Sequence, residues 1–180
     1  MSQVGAADTD RVWLSLMGDA FAHHVWASLG VIDACLTVSP EQLDAIVPGT
    51  YGSILSTVRH FVGGDAFYLS AMTGDRPMLL DEDRLRLPEL RAAIERQADR
   101  WSQILSGDLD PQTIVEEVDD DGYRRQAPIG IRLAQAIHHG TDHRSQVCTG
   151  LTALGVKPPD IDVWDYALET GRSTEVLPPS

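Results

Sequence analysis

The sequence predicts an all-α fold of four long helices, with a small β-hairpin between the third and the fourth and a short C-terminal helix. Three observations carry this reading. Four segments repeat apolar residues at three-and-four spacing, the period of a helix that buries one face. Thr113-Ile114-Val115-Glu116-Glu117-Val118 and Tyr123-Arg124-Arg125-Gln126 flank Asp119-Asp120-Asp121-Gly122, whose Asp-Gly end favours a tight hairpin turn. A chain of 180 residues, 43% hydrophobic, suits one domain over residues 1–180 around one sizeable core.

The first helix is readable from Asp8 or Thr9 as N-cap, with Leu14, Met17, Phe21, Val25, Ser28, Ile32 and Cys35 along one line. His23 and His24 lie beside that line and read first as half-buried histidines with one hydrogen bond each, and second as auxiliary ligands or substrate contacts. After Pro40-Glu41-Gln42-Leu43 and a turn around Pro48-Gly49, the second helix starts near Tyr51 or Ser53 and buries Ile54, Val58, Phe61, Val62, Leu69 and Met72. Its other line is Ser53, Thr57, His60, Gly64 and Phe67. Gly64 costs that helix about 1 kcal/mol relative to alanine. It either leaves space beside His60 or, with Gly63, lets another helix pack closely.

The charged stretch from Gly74 to Leu87 is a surface connection, placed to cross the end of the helices or to form a lid. The third helix opens at Pro88, carries Leu90, Ile94, Trp101, Ile104 and Leu105 on one face, and ends at Gly107. The acidic triplet of the hairpin lacks the spaced ligands of a calcium loop and reads as a solvated turn. The fourth helix, from Pro128, has an apolar line of Leu133, Ile137, Val147, Leu151 and Leu154 beside a stripe of Arg132, Gln135, His139, His143 and Gln146. A buried polar stripe is costly unless its groups are paired or bind something. The tail after Lys157-Pro158-Pro159 reads as a short docked helix. Its Trp164 is expected to pack among apolar residues, with the mouth of a site or a homodimer contact as alternatives.

The net charge of −13, from 27 acidic and 14 basic residues, argues against nucleic acid as a partner. A small-molecule substrate, even an anionic one, stays open, because a local cluster around Arg59 or Arg144 can override the global field. Arg59 reads first as half of a surface ion pair, and Arg144 as paired with an acid on a neighbouring element. There is no apolar run of membrane-spanning length and no signal-peptide layout, so the expected location is the cytoplasm with no membrane partner. Cys35 and Cys148 have no metal-ligand spacing and read as small buried residues.

The chemistry concentrates in Ile137-His138-His139-Gly140-Thr141-Asp142-His143-Arg144-Ser145-Gln146. Four residues apart on a helix, His139 and His143 stack on one face and can offer nitrogen lone pairs to one metal ion. His60 is the candidate third ligand, the only histidine of the second helix. If the second and fourth helices are neighbours, the three close a facial site with an open position. The motif is not the zinc-protease H-E-x-x-H, since Gly140 stands where the glutamate base would be. No Glu-x-x-His occurs, which excludes a di-iron carboxylate bundle. Gln135, Asp142 and Gln146 are the candidates to orient the imidazoles.

The His139-x-x-x-His143-Arg144-x-Gln146 motif, with Thr57-Val58-Arg59-His60-Phe61-Val62 before it, resembles the DinB superfamily of DinB/YfiT-like metalloenzymes. The resemblance runs from the helix of Trp26 through Gly52-Ser53-Ile54 to Asp162-Val163-Trp164-Asp165-Tyr166. It implies a four-helix bundle with a three-histidine metal site. It also implies a thiol-dependent S-transferase-like enzyme that acts on a small electrophile with a low-molecular-weight thiol. Zinc or nickel is the expected divalent ion, with iron and manganese behind them. A metal-dependent hydrolase and a non-catalytic metal- or ligand-binding protein are the competing readings.

Overall fold

The computed structural model describes residues 6–74, 80–81, 84–118 and 122–176, and the side chains of the first helix from Met17 onward. Its elements are α1 (Ala6–Cys35), α2 (Pro40–Leu43), α3 (Ile54–Thr73), α4 (Leu87–Ser106), β1 (Ile114–Val118), β2 (Arg124–Pro128), α5 (Ile129–Ala153) and α6 (Val163–Glu169). The four long helices form a closed cycle in which α1 packs on α4, α4 on α3, α3 on α5 and α5 on α1. This is the four-helix bundle, with the hairpin leading into α5 and the short helix against α1. No described helix is long and apolar enough to cross a membrane.

Local chemistry sets the boundaries. Ser53 caps α3 by accepting the Ser56 amide at 3.1 Å, and Gly74 ends it with φ 72°, a left-handed backbone that glycine adopts without a Cβ penalty. Pro88 sits in the first turn of α4, where its missing N–H costs nothing. The hairpin pairs Glu116 with Gln126, and Arg124 lies opposite Val118. Its acidic triplet, and residues 75–79 and 82–83 of the charged connection, lie outside the described residues.

The apolar lines read from the sequence form the interior. Val31, Ile32, Val58, Phe61, Val62, Leu90, Ile94, Val147 and Leu151 make one cluster. Phe21, Leu69, Trp101, Ile129, Leu133 and Ala136 make a second, with the Phe21 and Trp101 rings 4.5 Å apart. Cys35 is buried, which pushes its thiol up to about 12, and Cys148 is half-buried.

Three local expectations change. The first helix reaches back to Ala6, past Asp8 and Thr9, because Ala6 and Ala7 are strong helix formers that propagate a turn without a cap. Pro40–Leu43 is itself a helical turn, closed by a reciprocal capping box between Ser39 and Gln42. Trp164 is 74% exposed. Tyr166 docks in its place, with its ring 5.6 Å from Trp26 and 5.8 Å from His23, since two positions along a helix turn a side chain to the opposite face.

Candidate metal centre

α3 and α5 lie side by side, so the condition for a three-histidine site is met. His60 of α3 and His139 and His143 of α5 bring ligating nitrogens within 4.8 Å of one another. The Nε2 atoms of His60 and His139 are 3.2 Å apart. Two imidazole ligands in a tetrahedral shell at 2.0–2.1 Å are separated by about 3.3 Å, so this donor pair fits a zinc-like ion. The ring centroids of His139 and His143 are 4.5 Å apart, and those of His60 and His143 4.7 Å.

The site depends on a missing Cβ. One added at Gly64 would meet His139 Cε1 at 2.4 Å and Nδ1 at 3.0 Å, so the imidazole lies directly against the backbone of α3. Gly64 therefore provides both the space beside His60 and the close helix contact. Gly140 does the equivalent on the other side of α5: a Cβ there would meet His24 Cε1 at 2.4 Å. The position that holds a general base in zinc proteases is here occupied by the ring of a histidine from α1.

Gln146 fixes the tautomer of His143. Its Oε1 accepts the Tyr51 backbone N–H at 2.8 Å, which orients the amide, because a backbone N–H can only donate. The same oxygen lies 3.2 Å from His143 Nδ1, so that nitrogen carries the proton and Nε2 keeps its lone pair. Gln135 instead donates to the Tyr68 hydroxyl at 3.2 Å, and Asp142 is exposed. Of the three orienting candidates, only Gln146 touches a histidine of the cluster.

Burial and neighbouring imidazoles favour the neutral forms of His60 and His139. Burial, and then the neighbouring His143 and His60, lower His139 to about 4. Burial and His143 also lower His60. Burial first, and the neighbouring rings second, thus work against protonation of His60 and His139 and leave their lone pairs available at neutral pH.

Below the cluster runs a buried polar chain. His24 Nε2 lies 2.6 Å from Asp65 Oδ2, and both residues are within 1% of complete burial. On the other side of the imidazole, Arg144 Nη1 contacts His24 Nδ1 and Ser28 Oγ, each at 3.1 Å, and Nη2 donates to Thr141 Oγ1 at 3.1 Å. The expected direct ion pair of Arg144 is thus corrected: no described carboxylate contacts it, and His24 stands between it and Asp65. Burial pushes the guanidinium down to about 10, with the Asp65 charge opposing that shift. Arg59 is corrected as well. Its Nε donates to the Leu85 carbonyl at 2.9 Å and serves to hold the α3–α4 connection. His23 contacts the Ile161 carbonyl oxygen at 2.9 Å, the single structural bond expected of it.

Three residues of the site escaped the sequence reading. Tyr51, from the turn before α3, stacks on His60 with centroids 3.9 Å apart and planes 6° from parallel. Tyr68 packs edge-on against His139 at 5.6 Å. It lies four residues beyond Gly64, a spacing that was there to be read. Asp65 was also visible as a charge inside the apolar run Phe61–Leu69.

A helical bundle with three imidazoles from two neighbouring helices defines a protein class with a candidate metal centre in its interior. The chain belongs to the DinB family, whose model matches residues 9–175. No curated protein sequence matches it.

Proposed function

We propose that the protein is a divalent-metal-dependent enzyme, with His60, His139 and His143 as ligands, and that it transfers a low-molecular-weight thiol to a small electrophile. The convergence of three neutral imidazoles carries the reading. A zinc or nickel ion held there supplies Lewis acidity that lowers the pKa of a thiol, or of water, at its open position. The residues around it prepare that position. Gln146 holds His143 with Nε2 unprotonated, Gly64 lets His139 reach its partners, and Tyr51 covers the outer face of His60. With Gly140 in place of a glutamate, the motif carries no built-in base for activating water, which favours a thiol over hydrolysis. Thiol transfer asks less of the protein, since a thiol ionises more readily than water.

Elemental analysis of the purified protein, followed by a screen of low-molecular-weight thiols against halogenated and epoxide electrophiles, tests this. The expected result is one divalent ion per chain and saturable thiol consumption that disappears on chelation and in His139→Ala. Metal binding without turnover of any pair would assign a non-catalytic binding protein. Turnover of esters or amides without thiol would assign a hydrolase.

A further inference from the structure

A cavity of about 350 Å³ opens where the hairpin meets the first turns of α5, lined by Tyr68, Glu117, Arg125, Ala127, Ile131, Arg132 and Gln135. Its polar groups are arranged around one excess positive charge. Glu117, almost fully buried, is held between Arg125 Nη1 at 3.1 Å and Arg132 Nη1. Among the described lining residues, two guanidiniums thus face one carboxylate. Arg132 is only 4% exposed. Its Nη2 donates to the carbonyls of Val115 and Arg125 at 3.1 and 3.2 Å, yet its buried Nε has no partner. Arg125, by contrast, bonds Glu117 through Nη1 and its side chain is 56% exposed, so its other N–H groups are open to a ligand in the cavity.

Tyr68 adds a second donor. Its oxygen accepts from Gln135, which leaves the phenolic hydrogen free to donate, and burial raises its pKa so that the hydrogen stays in place. The same ring lies edge-on against His139, so Tyr68 forms a wall shared by the cavity and the histidine cluster. Ala127 and Ile131 supply the apolar part of the lining.

We propose that this cavity is a carboxylate-binding subsite that takes the acidic end of a small organic acid whose reacting atom lies at the histidine cluster. The exposed Arg125 guanidinium faces the carboxylate, the buried Arg132 holds Glu117 behind it, and the Tyr68 hydroxyl donates to it from the side of the cluster. In a chain of net charge −13, this local excess of positive charge is what admits an anion. The proposal rests on the metal-enzyme reading for what happens to the ligand, and not for its binding.

The test is titration of the metal-free full chain with succinate, followed by calorimetry, with neutral succinamide as control. Succinate is expected to bind and succinamide not. Arg125→Gln, which removes one exposed partner of Glu117, and Tyr68→Phe are each expected to weaken succinate by about tenfold or more. Equal binding of succinate and succinamide, or wild-type affinity in Arg125→Gln, overturns the subsite. Failure of the metal-enzyme reading leaves the succinate result intact, so the two are separable.

Discussion

Gly64→Ala isolates the close contact on which the histidine cluster depends. The new Cβ would lie 2.4 Å from His139 Cε1, where ordinary contact begins near 3.4 Å, so the ring must retreat by about 1 Å. Metal ligands tolerate displacements of about 0.2 Å. A 1 Å retreat therefore removes His139 from a site whose first pair of nitrogens is now 3.2 Å apart. The helix itself gains, since alanine replaces glycine in the interior of α3, a term worth about 1 kcal/mol. That gain offsets part of the packing cost, and the expected melting temperature of the metal-free protein changes by only a few degrees. Metal affinity, measured by competition with a chromophoric chelator, should fall by about 10- to 100-fold or more. Gly18→Ala is the control, because a Cβ there meets nothing within 4 Å, and it should leave metal affinity untouched. Wild-type metal affinity in Gly64→Ala would refute the claim that the ring is held in place against the backbone of α3.

Gln146→Ala should lower metal affinity by about tenfold with a small effect on melting, whereas Gln146→Glu, which keeps an acceptor for His143 Nδ1, should recover much of it; equal affinity in all three proteins would remove Gln146 from the site. Arg144→Ala takes the donor away from the buried His24 Nδ1 and should cost about 1–3 kcal/mol in urea denaturation; an unchanged midpoint would show that the chain under the cluster is not structural. For the metal-free protein, the lowered pKa of His139 sets the sign of a pH dependence. Between its unfolded value of 6.5 and its folded value of about 4 the unfolded chain binds more protons, so stability is full above 6.5 and is lost as pH falls towards 4. The urea midpoint should drop over that window and drop less in His139→Phe, and identical slopes in the two proteins would contradict the burial argument.

The helices were legible because their signals are local. Phe21, Ile32, Val58, Phe61, Leu90, Trp101, Leu133, Val147 and Leu151 repeat at the helical period, and each is buried as that period requires. The hairpin was legible from its Asp-Gly turn. His139 and His143 were paired by their spacing alone, and His60 joined them through the one condition that α3 and α5 be neighbours. Gln146 was placed near the site by the same rotation arithmetic. Trp164 was misread because a short helix shows too few positions to tell which side faces inward.

The sequence by itself determined which residues share a helix face, since a fixed 100° rotation per residue turns spacing into direction. Only the tertiary structure decided what each face meets. Asp65 and His24 are 41 residues apart and Arg144 and His24 are 120 apart, so their chain of contacts depends on α1, α3 and α5 packing together. The same packing laid the ring of Tyr51 on His60 and turned two glycines, Gly64 and Gly140, into seats for imidazoles. Contacts across elements depend on differences of a few tenths of an ångström in how helices approach one another, and no local pattern in a chain encodes those distances.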